Sequence, residues 1–336
     1  MNGMLSRRGF LRQSFAFSAL ATLGSLPVAA ESGHEPNVAA KQFLILGDWG
    51  YEDATAQGRV AAAMHRYVRE RRIKTDALLM LGDNWYGPLP DGAESERWKT
   101  QFEEMYPKSV FDCPAYAILG NHDYQRMPES KVDAELAYAK KAGTRWTLPS
   151  QWYRFEFPAK KPLVTLIALD SNVPHPEGPQ AKGANFTLTA EQQAEQLAWL
   201  KTELEKPLRT PFLIVMGHHP IYSNGPHGDH KVLTADWEPL LRKHKVHMYL
   251  AGHDHDMQHL EFDGHPTSFV LSGGGGADLY TLKIEEAQRG PYASKVYGFS
   301  RLEVTPELLR LEHLDEMGRV IHGFTKSPDG AVRILS

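Results

Sequence analysis

The chain has 336 residues, 42% of them hydrophobic and 23% charged, and a formal net charge of −4. That length buries a substantial core, and the composition excludes both a disordered chain and a membrane bundle. A mildly acidic protein has no field that recruits nucleic acid, and the single cysteine, Cys113, excludes an intrachain disulfide and a thiolate metal cluster.

Residues 1 to 30 read as an export signal. Ser6-Arg7-Arg8-Gly9-Phe10-Leu11 is a twin-arginine motif, Phe15 to Leu26 is a short apolar run, and Val28-Ala29-Ala30 offers small residues for cleavage. Such a signal is an address read by the twin-arginine export machinery, not an anchor, and it places the mature chain in the periplasm or outside the cell. The apolar run falls short of the roughly 18 residues that a membrane span requires. No internal repeat or clear linker follows, so residues 31 to 336 are expected to form one domain, most simply a monomer.

The first strand of that domain is Phe43 to Leu46, followed by an amphipathic helix from about Thr55 to Arg72 with Val60, Met64 and Val68 on its apolar face. A second strand spans Ala77 to Leu81, a polar helix Glu94 to Met105, and a third strand Ala115 to Leu119. Residues 125 to 150 are mixed and charged and read as a surface excursion. Tyr153 to Phe157 alternates as a strand with one wet face, and Leu163 to Leu169 reads as a buried strand ending at Asp170-Ser171-Asn172. Val173 to Leu188 is rich in Pro, Gly, Asn and Gln and reads as an exposed loop. A helix starts at Thr189, where Thr189 and Gln192 fit a capping box, and runs to Lys206 with Ala194, Leu197, Leu200 and Leu204 as its core stripe. Further strands are predicted at Phe212 to Met216, Met248 to Ala251 and Ser268 to Leu271, with a short helix at Asp236 to His244. A four-glycine turn, Gly273 to Gly276, then leads to a meander of Tyr297 to Val304, Leu308 to His313 and Val320 to Phe324.

Five of these apolar runs end alike, in a glycine and then in residues able to hold a metal. They are Gly47-Asp48-Trp49-Gly50, Gly82-Asp83-Asn84-Trp85-Tyr86, Gly120-Asn121-His122-Asp123, Gly217-His218-His219-Pro220 and Gly252-His253-Asp254-His255. Open α/β sheets place their sites beyond the carboxyl ends of their strands, so the five segments converge. Their donors are oxygen and nitrogen, suited to Fe, Mn or Zn, and they exceed what one ion needs. Two ions about 3.5–4 Å apart, sharing a carboxylate, would clamp the attacking and leaving oxygens of a displacement at phosphorus.

In order, the five segments resemble the blocks of the metallophosphoesterase superfamily. Tyr86, three residues after Asp83, makes the chain similar to the purple acid phosphatases, and within them to the small, mammalian-like, tartrate-resistant type, in a bacterial exported form. The resemblance implies a four-layer α-β-β-α sandwich of two mixed sheets with a dimetal site at the strand carboxyl ends. It implies that Asp48, Asp83, Tyr86 and His255 hold Fe(III), that Asp83 bridges, and that Asn121, His218 and His253 complete a second site for Fe(II), Zn or Mn. It further implies acid phosphatase activity on phosphorylated small molecules through a hydroxide held by the ions. His122 and His227 would bind phosphate or protonate the leaving group, Asp123 would orient a histidine, and Asn121 and His219 would join the substrate contacts. His230 reads as a solvated loop residue, Trp49 and Trp85 as packing residues, and Asp254 and Asp256 as structural. The family usually has an aromatic residue at the position of His219, and the 173 to 188 loop is not similar to the regulatory loop of the mammalian-type enzymes, so no proteolytic activation is expected. Two other functions remain open: a Mn or Zn phosphodiesterase or nucleotidase, and a non-catalytic metal-binding protein on the same scaffold.

Overall fold

A computed structural model describes residues 40–125, 130–174, 187–283 and 289–335. The export signal and most of the 173 to 188 loop lie outside these residues. The elements are β1 (Lys41–Leu46), α1 (Thr55–Glu70), β2 (Ala77–Met80), β3 (Ala115–Ala117), α2 (Lys131–Tyr138), β4 (Trp146–Thr147), β5 (Tyr153–Phe157) and β6 (Val164–Ala168). There follow α3 (Ala190–Glu205), β7 (Phe212–Met216), α4 (Lys231–Asp236), α5 (Glu238–Lys243), β8 (Met248–Ala251), β9 (Met257–Leu260) and β10 (Ser268–Ser272). The chain closes with β11 (Tyr292–Ser294), β12 (Gly298–Val304), β13 (Leu309–Asp315), β14 (Val320–Lys326) and β15 (Val332–Leu335).

The strands form two mixed sheets, in the orders β15-β14-β13-β12-β1-β2-β3-β4 and β11-β9-β10-β8-β7-β6-β5. In the first, β1 to β4 run parallel and β12 joins β1 antiparallel; in the second, β6, β7, β8 and β10 run parallel. Strand side chains alternate between faces, and this period explains why the parallel strands are apolar without interruption. In β7, Phe212, Ile214 and Met216 face the core between the sheets, whereas Leu213 and Val215 join a second cluster with Leu200 and Leu204 of α3 and Leu241 of α5. Strand β8 divides in the same way, Met248 and Leu250 inward, Tyr249 and Ala251 outward. Val60, Met64 and Val68 of α1 cover the first sheet. Helices outside two face-to-face sheets make the expected four-layer α/β sandwich.

Four expectations fail locally. The excursion over 125 to 150 is not a surface feature: α2 buries Lys131, whose ammonium donates to the Trp85 and Gly87 carbonyls, and β4 buries Trp146 at the sheet edge. Where a helix is expected over 94 to 105, there are a single tight turn, Gly92–Glu94, and a wide π-type turn, Trp98–Glu103. The outer face of β5 is only partly wet, because Arg154 pairs with Glu203 of α3 while Glu156 stays about a third exposed. Ala194 is exposed; the buried position on that stripe is Gln196, whose amide is held by the Asp170 backbone. Among the described residues no helix is long and apolar enough to cross a membrane.

Candidate metal centre

The carboxyl ends of β1, β2 and β3 in one sheet and of β7 and β8 in the other meet at one rim, and each delivers one of the glycine-led segments. Backbone hydrogen bonds tie these segments together: Gly47 N to Ser272 O (2.8 Å), Asp48 N to Gly82 O (3.0 Å) and Gly252 N to His218 O (3.0 Å). The four-glycine turn is part of this contact rather than a free loop. Gly275 N donates to Gly47 O, and a Cβ on Gly275 would lie 2.2 Å from that oxygen, so no side chain fits there. Asp48, Asp83 and His253 take positive φ values of 59°, 49° and 70°. Backbone held in this sparsely populated region concentrates at functional sites, where the surrounding bonds over-determine it.

All seven expected metal ligands come together. The Tyr86 hydroxyl lies 3.1 Å from Asp48 Oδ1 and 3.0 Å from His255 Nε2. Asp48, Asp83 and His255 present ligand atoms within 4.8 Å of one another. His218 Nε2 is 3.4 Å from Asp83 Oδ1, and Asn121 Oδ1 is 3.2 Å from that nitrogen and 2.9 Å from His253 Nδ1. Asp83 therefore stands between two groups, Tyr86, His255 and Asp48 on one side, His218, Asn121 and His253 on the other. Asp48, Asp83 and His218 form a buried floor; Asn121 and His253 are half-buried.

The hydrogen bonds behind the histidines fix which nitrogen faces the site. A carbonyl only accepts, so His218 Nδ1 donates to Leu81 O (2.8 Å) and His255 Nδ1 donates to Asp278 O (2.6 Å). In the neutral rings each Nε2 lone pair then points at the cluster, as a metal requires. His255 is further steadied by Tyr280, stacked at 4.0 Å. Burial opposes charge on His218, but the Asp83 and Asp48 carboxylates outweigh it and push the imidazole upward; burial likewise opposes charge on Asp83, and His218 and His122 outweigh it and hold the carboxyl down. Burial, then Asp83 and Asp48, keep the Tyr86 phenol well above its ordinary range. The carboxylates favour positive charge in this pocket, and its oxygen and imidazole donors are of the types that hold such cations.

The other expected site residues divide. His122 is half-buried beside Tyr86 (ring centroids 4.1 Å apart), its backbone N–H donating to Asp83 Oδ1 and its Nδ1 lying 3.1 Å from Gln125 Oε1. His219 packs 4.3 Å from the His253 ring. Ser171 Oγ accepts from His219 N and lies 2.9 Å from its Nδ1, so this hydroxyl holds the ring on its Nδ1 side. His227 lies 4.2 Å from the His253 ring, on the open side. His230 is not a solvated loop residue: its Nδ1 caps α4 by accepting from Leu233 N. Trp49 and Trp85 are buried packing residues in edge-to-face contact.

Asp123 does not orient a histidine. Its carboxylate is fully buried and accepts from the backbone N–H groups of Gly120 (2.8 Å), Asn84 (3.1 Å) and Trp85 (2.8 Å), so it clamps the β2 and β3 segments together. Among the three rim histidines, the ring that meets a carboxylate is that of His227, whose Nδ1 lies 2.6 Å from Asp254 Oδ1. Ser171 and Asp254 are the functional partners that residue patterns missed. Ser171 follows a buried strand, but without the glycine that leads the five segments, and that position is its one signal; Asp254 lies inside a recognised segment but carries no sign of its partner.

A family model for calcineurin-like phosphoesterases matches residues 41–257. The chain belongs to this family. Tartrate-resistant acid phosphatase type 5 of Rattus norvegicus is 32% identical over 301 residues, covering 83% of this chain and 88% of that protein. Purple acid phosphatase 4 of Arabidopsis thaliana is 28% identical, covering 88% of this chain and 86% of the relative. Within the calcineurin-like phosphoesterases the chain thus groups with the purple acid phosphatases, and its homologues imply a dimetal centre. Among solved structures, purple acid phosphatase from yellow lupin (Lupinus luteus) seeds superimposes with a TM-score of 0.61 at 19% identity, over 87% of this chain and 55% of that one. The anchor in the inner membrane complex of Plasmodium superimposes with a TM-score of 0.70 at 23% identity, over 84% and 87% of the two chains. A phosphatase and an anchor share this fold, so the fold alone does not decide catalysis; the side chains do.

Proposed function

We propose that this phosphoesterase is an exported acid phosphatase that hydrolyses small phosphomonoesters. The observation that carries the reading is the continuous run of donors from Tyr86 through His255, Asp48, Asp83, His218 and Asn121 to His253, with Asp83 between its halves. In this reading Asp48, Asp83, Tyr86 and His255 hold Fe(III), and Asn121, His218 and His253 complete a site for Fe(II), Zn or Mn. Bound there, two such ions would lower the pKa of the attacking water and offset charge on the phosphoryl oxygens. The remaining roles belong to the rim. His122, next to Tyr86, and His219 contact the phosphoryl oxygens, and the exposed His227 reaches the leaving-group side. The twin-arginine motif at Arg7 and Arg8 supports export.

Two assays test this. The purified protein is expected to hydrolyse 4-nitrophenyl phosphate in preference to bis(4-nitrophenyl) phosphate; the reverse order, with two Mn or Zn ions bound, would favour the phosphodiesterase reading. A fully metal-loaded protein inactive on both would leave a metal-binding role. Replacing Arg7 and Arg8 with Lys is expected to trap the protein in the cytoplasm, and undiminished export would remove that part of the proposal.

A further inference from the structure

Of the three rim histidines His227 is the most open, with 46% of its side chain exposed, yet its ring is held. Freezing an exposed side chain costs rotamer entropy, so a specific contact must hold it. That contact is Asp254, fully buried, whose Oδ1 lies 2.6 Å from His227 Nδ1 and also accepts from the His227 backbone N–H (3.4 Å). The other oxygen, Oδ2, accepts from the Ser223 hydroxyl, which in turn accepts from Gly225 N at 2.8 Å. Gly225 is required for this approach, because a Cβ there would lie 2.4 Å from the Asp254 carboxylate carbon. Since an ionised carboxylate only accepts, His227 Nδ1 carries a hydrogen, and Nε2 is the nitrogen left for substrate. Asp254 sits between His253 and His255, so the turn that supplies two of the metal donors also aims His227.

We propose that Asp254 is the positioning residue for His227, holding its ring so that Nε2 delivers a proton to the departing alcohol. This rests on the phosphomonoesterase reading. As the water oxygen bonds to phosphorus, the P–O bond to the alcohol breaks with its electron pair on the alkoxide oxygen, and that oxygen takes the Nε2 proton. His227, doubly protonated before the step, is left neutral with its remaining hydrogen on Nδ1 and donated to Asp254, and the proton of the attacking water passes to solvent.

Asp254→Asn tests the assignment, because an amide can donate to Nδ1 as well as accept and so removes the single preferred ring state. Metal content is measured on each variant, and Ser223→Ala, which loosens Asp254 from behind, replaces any variant that fails to fold or loses metal. With 4-nitrophenyl phosphate, whose phenolate leaves without a proton, and glycerol 2-phosphate, whose alkoxide needs one, both kcat/KM values should fall. The fall for the alkyl ester should be about 10- to 100-fold the greater. His227→Gln should show the same skew, and the double variant no additional skew. Equal losses for the two esters, or additive ones, would overturn the proposal and assign Asp254 to the metal turn alone. A readout independent of turnover is the ring ¹⁵N–¹H correlation of His227 in the zinc-loaded protein. It should report an Nδ1 hydrogen that Asp254→Asn removes or exchanges, and an unchanged spectrum would also overturn the proposal. A wild-type protein inactive on both esters would defeat the phosphomonoesterase reading, while the spectrum would still decide the Asp254 contact.

Discussion

Replacing Asp123 separates a clamp from a catalyst. In the structure its carboxylate accepts from three buried backbone N–H groups, those of Gly120, Asn84 and Trp85, and lies 3.3 Å from the Asn84 side-chain amide. Asp123→Ala leaves those backbone groups without partners, and each orphaned buried donor costs about 1–3 kcal/mol, so the total is on the order of 3–9 kcal/mol. At about 2–4 °C per kcal/mol for a chain of this size, the melting temperature should fall by roughly 10 °C or more. The orphaned groups flank Asp83 and Asn121, so metal affinity should fall with stability. Thermal melting, metal content and turnover per metal-loaded chain, measured together, check this. The account predicts that the surviving metal-loaded fraction turns over within a few-fold of wild type. A variant that melts like the wild type and keeps both metals, yet has lost turnover, would refute the clamp and return Asp123 to the chemistry.

His122→Ala should slow turnover while both metals stay bound, since the side chain is outside the donor run and only its backbone N–H touches Asp83; metal analysis that shows a loss would make His122 structural. Acid should destabilise the fold through a second histidine cluster, set between the sheets. There His259 Nδ1 lies 2.9 Å from His322 Nε2, and His259 Nε2 lies 2.7 Å from Glu261 Oε1. Burial, then His259, lowers His322 to about 3, and burial followed by His322 holds His313 well below its usual range. The sign follows from the folded values lying below the unfolded one: the neutral rings stabilise fully above about 6.5, and each pH unit below that costs up to about 1.4 kcal/mol per histidine until the folded value is reached. Melting at pH 7 and pH 5 should show a drop that His322→Asn reduces; an identical drop in that variant would place the acid sensitivity elsewhere.

The donors were legible because each follows a buried parallel strand, where an unbroken apolar run ending in glycine marks the point at which the backbone leaves the sheet. The two-residue spacing of His253 and His255 and the three-residue spacing of Asp83 and Tyr86 survive folding because they lie within one turn each. The partners were not legible in the same way. Asp254 finds His227 across 27 residues and Ser171 finds His219 across 48, and such pairings depend on how loops fold back rather than on local pattern. Asp123 departs from its expected role for a related reason: an acid beside a histidine in sequence suggests a pair, but its side chain points to the backbone of the neighbouring segment. The charged stretch from 125 to 150 misled because Lys131 and Glu135 are buried by pairing with backbone carbonyls and the Asn84 amide, a compensation that composition does not display.

The most direct test of the dimetal assignment is the visible absorption spectrum of the purified protein, taken with metal analysis on the same sample and on Tyr86→Phe. The account predicts two metals per chain, one of them iron, and a charge-transfer band that Tyr86→Phe abolishes while Asp48, Asp83 and His255 retain metal. A band that survives this substitution, or a dimetallic wild type with no visible band, would contradict the tyrosinate–Fe(III) site.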